Sequence, residues 1–122
     1  MDSIDKIKVV NYIYEKIHLY THKFIKIERN ENLLCLKDKK HYITPNFCGI
    51  SSLLIFLKHE QNFGCYLVDR RTLSFEKTKL NVSNVRIKNV KINVDVKLYD
   101  GSIFDCVVID ETEDIIINDV LD

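Results

Sequence analysis

The spacing of apolar residues changes once along this chain, and the change limits which secondary structures it can stack together. Up to residue 20, Ile4, Ile7, Val10, Ile13 or Tyr14, Ile17 and Tyr20 recur at every third or fourth position, which puts them on one face of an α-helix. Asp2 or Ser3 offers a side-chain oxygen to cap its start. One amphipathic helix is therefore expected over about residues 1–22. From residue 24 the period falls to two. FIKIE alternates apolar and polar residues, Asn30, Glu31 and Asn32 carry turn chemistry, and LLCLK follows, which is the pattern of a hairpin. SLLIFLK, CYLVDR, VKINVDVKLYDG, IFDCVVID and DIIINDVL continue as strands, with QNFG and the acidic ETED as turns.

Strands in hairpin order, with no helical pattern of roughly 10–15 residues between them, point to an antiparallel sheet and away from βαβ crossovers. The expected fold is α+β: an N-terminal amphipathic helix packed on a mainly antiparallel β-sheet. It forms a single domain over 1–122, helical to about 22 and mostly β from about 24. A chain of 122 residues with 46% hydrophobic residues, three glycines and one proline can bury a core without disulfide staples and is not a disordered or linker-rich sequence.

Basic and acidic residues balance at 18 each, so no global field draws the molecule to nucleic acid or to an anionic membrane. The charge is segregated instead. Residues 58–97 carry nine basic and four acidic side chains, and residues 105–122 carry seven acidic and no basic ones. Within the first of these, TLSFEKTKLNVSNVRIKNVKIN (72–93) reads either as a phosphate-tracking basic ribbon or as an edge strand kept from aggregating by its lysines.

Cys35, Cys48, Cys65 and Cys106 form no CxxC pair and meet no paired histidines, so the expectation is four reduced cysteines and no metal site. The start MDSIDKIKVV lacks the apolar stretch of a signal peptide, and LLIFL is the longest uninterrupted apolar run, far short of the roughly 20 residues of a membrane span. An intracellular protein with no membrane contact is expected. No GxxxxGK[ST], GxGxxG, HExxH or GxSxG occurs, and no cofactor is implied.

Four segments, in order, carry a resemblance. YITPNFCGIS (42–51) is similar to the active-site strand of the covalent nucleotidyltransferases, above all the mRNA-capping guanylyltransferases, whose motif reads Lys-x-Asp-Gly-x-Arg after a Thr-Pro-like lead-in. CYLVDRR (65–71) resembles that family's strand ending in aromatic-x-x-Asp-Arg. LYDGSIFDCVVID (98–110) resembles its Gly-Thr-x-x-Asp-Gly-Glu-Leu-Val motif, and IIINDVL (115–121) the strand after it. The resemblance covers about 38–122 and the front half of the transferase domain; the later lysine motifs and the OB-fold domain have no counterpart in it.

In that family a lysine amine attacks the α-phosphate of a nucleoside triphosphate while metal ions neutralise the phosphates. Carried over residue by residue, Asn46 stands at the lysine, Cys48 at the Asp, Gly49 at the Gly and Ser51 at the Arg. In the later motif Asp105 matches the Asp, Cys106 replaces the Gly and Val107 replaces the Glu. An asparagine amide is no nucleophile at neutral pH, so the resemblance implies a domain without catalytic residues, kept as a binding or structural assembly module. Phe47 and Tyr66 are the candidates for stacking on a nucleotide or RNA base, with Arg70 and Arg71 for its phosphates.

Two other readings are open. The chain is one half of a split mRNA guanylyltransferase completed by a partner chain, or it is an unrelated nucleic-acid-binding β domain that uses its basic stretch. Partners expected under the resemblance are a protein or further copies of this chain, held through an exposed sheet edge. Capping-like domains occur in large DNA viruses, and the abundance of Ile, Asn and Lys fits an AT-rich genome, so the implied location is host cytoplasm or virion.

Overall fold

A computed structural model describes residues 3–19, 40, 48–59, 62–109 and 111–122. The chain opens with α1 (Ser3–Lys16), as the spacing predicts. Asp5 in its first turn and Lys16 in its last complement the helix dipole. The intrahelical bonding runs on to Ile17, whose N–H donates to the Ile13 carbonyl at 2.9 Å. The helix ends at Lys16, short of the expected residue 22, and Ile17 and Leu19 continue into the core as irregular chain. Val9, Val10, Ile13 and Ile17 form the buried stripe, while Ile7 is largely exposed.

Five strands follow, β1 (Ile50–His59), β2 (Asn62–Asp69), β3 (Ile87–Val90), β4 (Asp100–Ile109) and β5 (Asp114–Val120). They form one sheet in the order β3-β2-β1-β4-β5, with every pairing antiparallel. The α+β class expected from the sequence is therefore present. β1 is central because ISSLLIFLKH is apolar on both faces: Leu53 and Ile55 point to one side, Leu54 and Phe56 to the other, and all four are buried.

The helix covers the first side. Val9, Val10 and Ile13 pack with Leu53, Ile55, Val68 and Ile103. Tyr12 fastens the helix to the start of β4 by donating its hydroxyl to the Gly101 carbonyl at 2.6 Å, and Tyr14 donates to the Ser74 carbonyl. Gly101 has φ of 111°, and a Cβ there would collide with the Tyr12 hydroxyl, so only glycine satisfies both the backbone and the contact.

The second side holds Leu54, Phe56, Cys65 and Cys106, closed by Ile92, Val94, Leu98 and Tyr99. Here one sequence expectation fails. VKINVDVKLYDG alternates like a strand, yet 91–95 is irregular and Val96–Tyr99 is a 3₁₀ turn capped by Asp95, whose carboxylate accepts from the Lys97 N–H. The strand lies earlier, at Ile87–Val90, inside the stretch whose reading was open. Alternation here marks an extended segment laid over the sheet, with Ile92 and Val94 turned down onto the second cluster. The expected FIKIE–LLCLK hairpin and Cys35 lie outside the described residues. No described helix is long and apolar enough to cross a membrane.

Candidate functional site

Described residues of the segments that carry the resemblance meet at one end of the sheet because β1 lies between β2 and β4. Ser52 is opposite Asp69 on β2 and Cys106 on β4, while Ser51 is opposite Val107 and Leu53 opposite Asp105. Of the candidate positions, Cys48, Gly49, Ser51, Asp105, Cys106 and Val107 thus gather with Arg70 and Arg71 around this end. Asn46 and Phe47 lie outside the described residues. Tyr66 is not part of the group. It faces the helix further down β2 and borders a different cavity, with Asp5, Tyr12 and Asn89. Burial, with the Asp5 charge added, raises its hydroxyl above the ordinary tyrosine range.

Arg70 and Asp105 are bound to each other. Arg70 Nη1 donates to Asp105 Oδ1 at 3.1 Å, and their side chains are only 11% and 7% exposed. Two charges drawn from motifs 35 residues apart therefore form an internal tie between the turn after β2 and β4. Their neighbour is held differently. Asp69 accepts from Arg71 Nε at 3.1 Å and from Nη2 at 2.9 Å, in a two-pronged pair that leaves the arginine side chain 60% exposed. Asp69 also caps the short turn Arg70–Thr72 through the Arg71 N–H. The bonds from Arg71 hold the Asp69 carboxyl below its ordinary range, against the opposing effect of burial.

Of the remaining motif positions, Gly49 and Cys106 serve the packing of the sheet. Gly49 passes so close to β4 that a Cβ would run into the Val108 carbonyl oxygen and the Val107 side chain, which accounts for the glycine at this point. Cys106 is buried, donates its thiol to the Ser52 carbonyl at 3.4 Å, and is pushed up to about 12 by burial and then by Asp105. Burial likewise raises Cys65 to about 11. Neither thiol ionises near neutral pH, so neither is a nucleophile. Cys48 is exposed. Among the described residues, no three His, Cys, Asp or Glu side chains converge as a metal site would need.

Beside this end of the sheet is a cavity of about 530 Å³. Its apolar lining includes Ile50, Leu67 and Val108, and its basic lining is Lys6, Arg71, Arg86 and Lys88, with Ser52 and Asp69 completing it. The Asp69 N–H donates to the Arg86 carbonyl at 3.0 Å, which extends the β2–β3 pairing and brings Arg86 alongside Arg71. Lys6 donates to the Ser83 carbonyl at 3.1 Å, so the helix shares in the same wall. Arg86 and Lys88 belong to the basic stretch flagged in the sequence. Their convergence with Arg71 depends on β3 pairing with β2, which the composition of that stretch did not reveal. Comparison of the chain with family models, curated proteins and solved structures returns no match.

Proposed function

We propose that this chain is a catalytically inactive domain of nucleotidyltransferase type, like those of mRNA-capping enzymes, that binds a nucleotide or RNA end and serves as an assembly module. One observation carries the binding reading: the 530 Å³ cavity joins an apolar lining to Arg71, Arg86 and Lys88, beside the motif-like segments. A base fits against Ile50, Leu67 and Val108, and phosphates against the cations, within the range of roughly 300–1,000 Å³ usual for small-ligand sites. The Arg70–Asp105 tie supports the non-catalytic part, since both charges serve the fold. Docking to a protein partner through a sheet edge, in host cytoplasm or virion, belongs to the same reading.

The test is incubation with α-labelled GTP or ATP and Mg²⁺ or Mn²⁺, scored for covalent label and for reversible binding. Reversible binding that falls about ten-fold or more in Arg86→Glu or Lys88→Glu is expected, since a charge-assisted contact contributes roughly 1.5–3 kcal/mol. Covalent label that appears only with a partner chain would replace this reading with the split guanylyltransferase. Absence of both, with no RNA binding at low salt, would end the nucleotide reading.

A further inference from the structure

The two outer strands of the described sheet carry opposite charge. β3 is flanked and occupied by Arg86, Lys88 and Lys91, all exposed. β5 carries exposed Asp114 and Asp119, with Glu111 and Glu113 in the turn before it. β5 also exposes two large apolar side chains, Ile117 at 51% and Val120 at 62%. An outer strand with apolar side chains open to water is a surface that invites another strand.

We infer that copies of this chain assemble head to tail, with the basic β3 edge of one copy pairing with the acidic β5 edge of the next. The inference rests on the reading above that a sheet edge is a docking surface, and it names the occupant. Charge complementarity selects it. A two-fold dimer through β5 would bring the carboxylates of Asp114 and Asp119 of the two copies close to one another, and one through β3 would do the same with the Lys88 ammonium groups; like charges across a strand pair are destabilising. Pairing β5 with β3 avoids both.

Side-chain direction agrees. In β5, Asp114 and Asp119 lie opposite Ile109 and Asp105 and project on the helix side, whereas in β3 Lys88 lies opposite Leu67 and projects on the other side. β3 and β5 run in the same direction in the sheet. An antiparallel β5–β3 contact therefore requires the second copy to be turned over. Turning it over brings its Lys88 onto the side where Asp114 and Asp119 project, and brings its Ile87 and Asn89 to the side of Ile117 and Val120. A contact between unlike edges does not close on itself as a two-fold does, so the product is a ring or an open filament with helices on alternating faces.

Sedimentation of the full chain tests this at salt of roughly 0.01 M and 1 M, where the screening length falls from about 30 to about 3 Å. The expected result is a mass that rises with concentration beyond a dimer at low salt and shrinks at high salt. Asp114→Lys with Asp119→Lys should abolish it, as should Lys88→Glu with Lys91→Glu, and mixing the two variants should restore it. That restoration is not expected of variants that have merely lost their fold, and the far-ultraviolet circular dichroism of each checks this directly. A monomer at the highest soluble concentration, a dimer of fixed mass, or assembly indifferent to the charge reversals would overturn the inference. Nucleotide binding by the same variants is measured separately, so failure of assembly and failure of the nucleotide site are told apart.

Discussion

The two faces of this sheet are closed by different means. On one, a regular helix lays Val9, Val10 and Ile13 over Leu53, Ile55 and Ile103, and the buried members of that cluster are all within 3% exposure. On the other, four buried residues sit under a segment without regular backbone bonding, and most of the residues closing it, including Ile92, Val94 and Tyr99, are only half-buried. Aromatic edges compensate in part: Phe56 meets Tyr99 at 5.4 Å and Phe104 at 5.8 Å, both near perpendicular, and Phe63 meets Tyr99 at 5.1 Å with the rings inclined at 68°. A helix satisfies its own backbone and can be lifted only as a unit. An irregular cover can open in pieces, so local fluctuation belongs to the second face.

The difference can be broken most sharply at the charged tie on the helix face. Arg70→Ala removes the 3.1 Å ion pair to the buried Asp105 carboxylate, and unfolding in urea should show a loss of up to about 3–5 kcal/mol. Next come matched truncations. Leu53→Ala, under the helix, should cost about 2–5 kcal/mol, whereas Ile92→Ala, on the half-buried cover, should cost under about 1.5 kcal/mol. Equal losses would mean that the cover is as tightly packed as the helix. The smallest effect is acid sensitivity at Asp69. Its carboxyl is depressed in the folded state, so its contribution is full above its unfolded value of about 3.9 and fades as pH falls through the lower folded value. Asp69→Asn should flatten that part of the stability–pH curve below about pH 4 and leave neutral pH closer to the level reached at the acid end.

The same contrast explains how much could be read from the sequence. The helix, β2, β4 and β5 are legible because apolar spacing near 3.6 and 2 reports which side chains are buried, and β1 because an unbroken apolar run marks a strand buried on both faces. The cover of 91–99 was misassigned because an extended segment lying across a sheet alternates just as a strand does; what separates them is a ladder of backbone bonds, which side chains do not encode. β3 hid behind lysines and asparagines because an edge strand has one neighbour and keeps a polar exterior. At the site, Asp69, Arg70, Arg71 and Asp105 stood out as residues, but the division of labour between Arg70, turned inward, and Arg71, turned outward, is a matter of tertiary register. Tyr66 was grouped with them by its distance along the chain, and the run of β2 carries it away.

The bond from the Tyr12 hydroxyl to the Gly101 carbonyl spans 89 positions of chain, and the Tyr12 hydroxyl also meets the Asp122 carboxylate at 3.5 Å, 110 positions away. A segment made early is therefore fastened to residues made much later. While the chain is being made, the helix has no β4 to cover, and Val9, Val10 and Ile13 must wait in water or in the keeping of a chaperone. Closing so long a loop is slow, and the rate of folding is set by topology more than by the helix that begins the sequence.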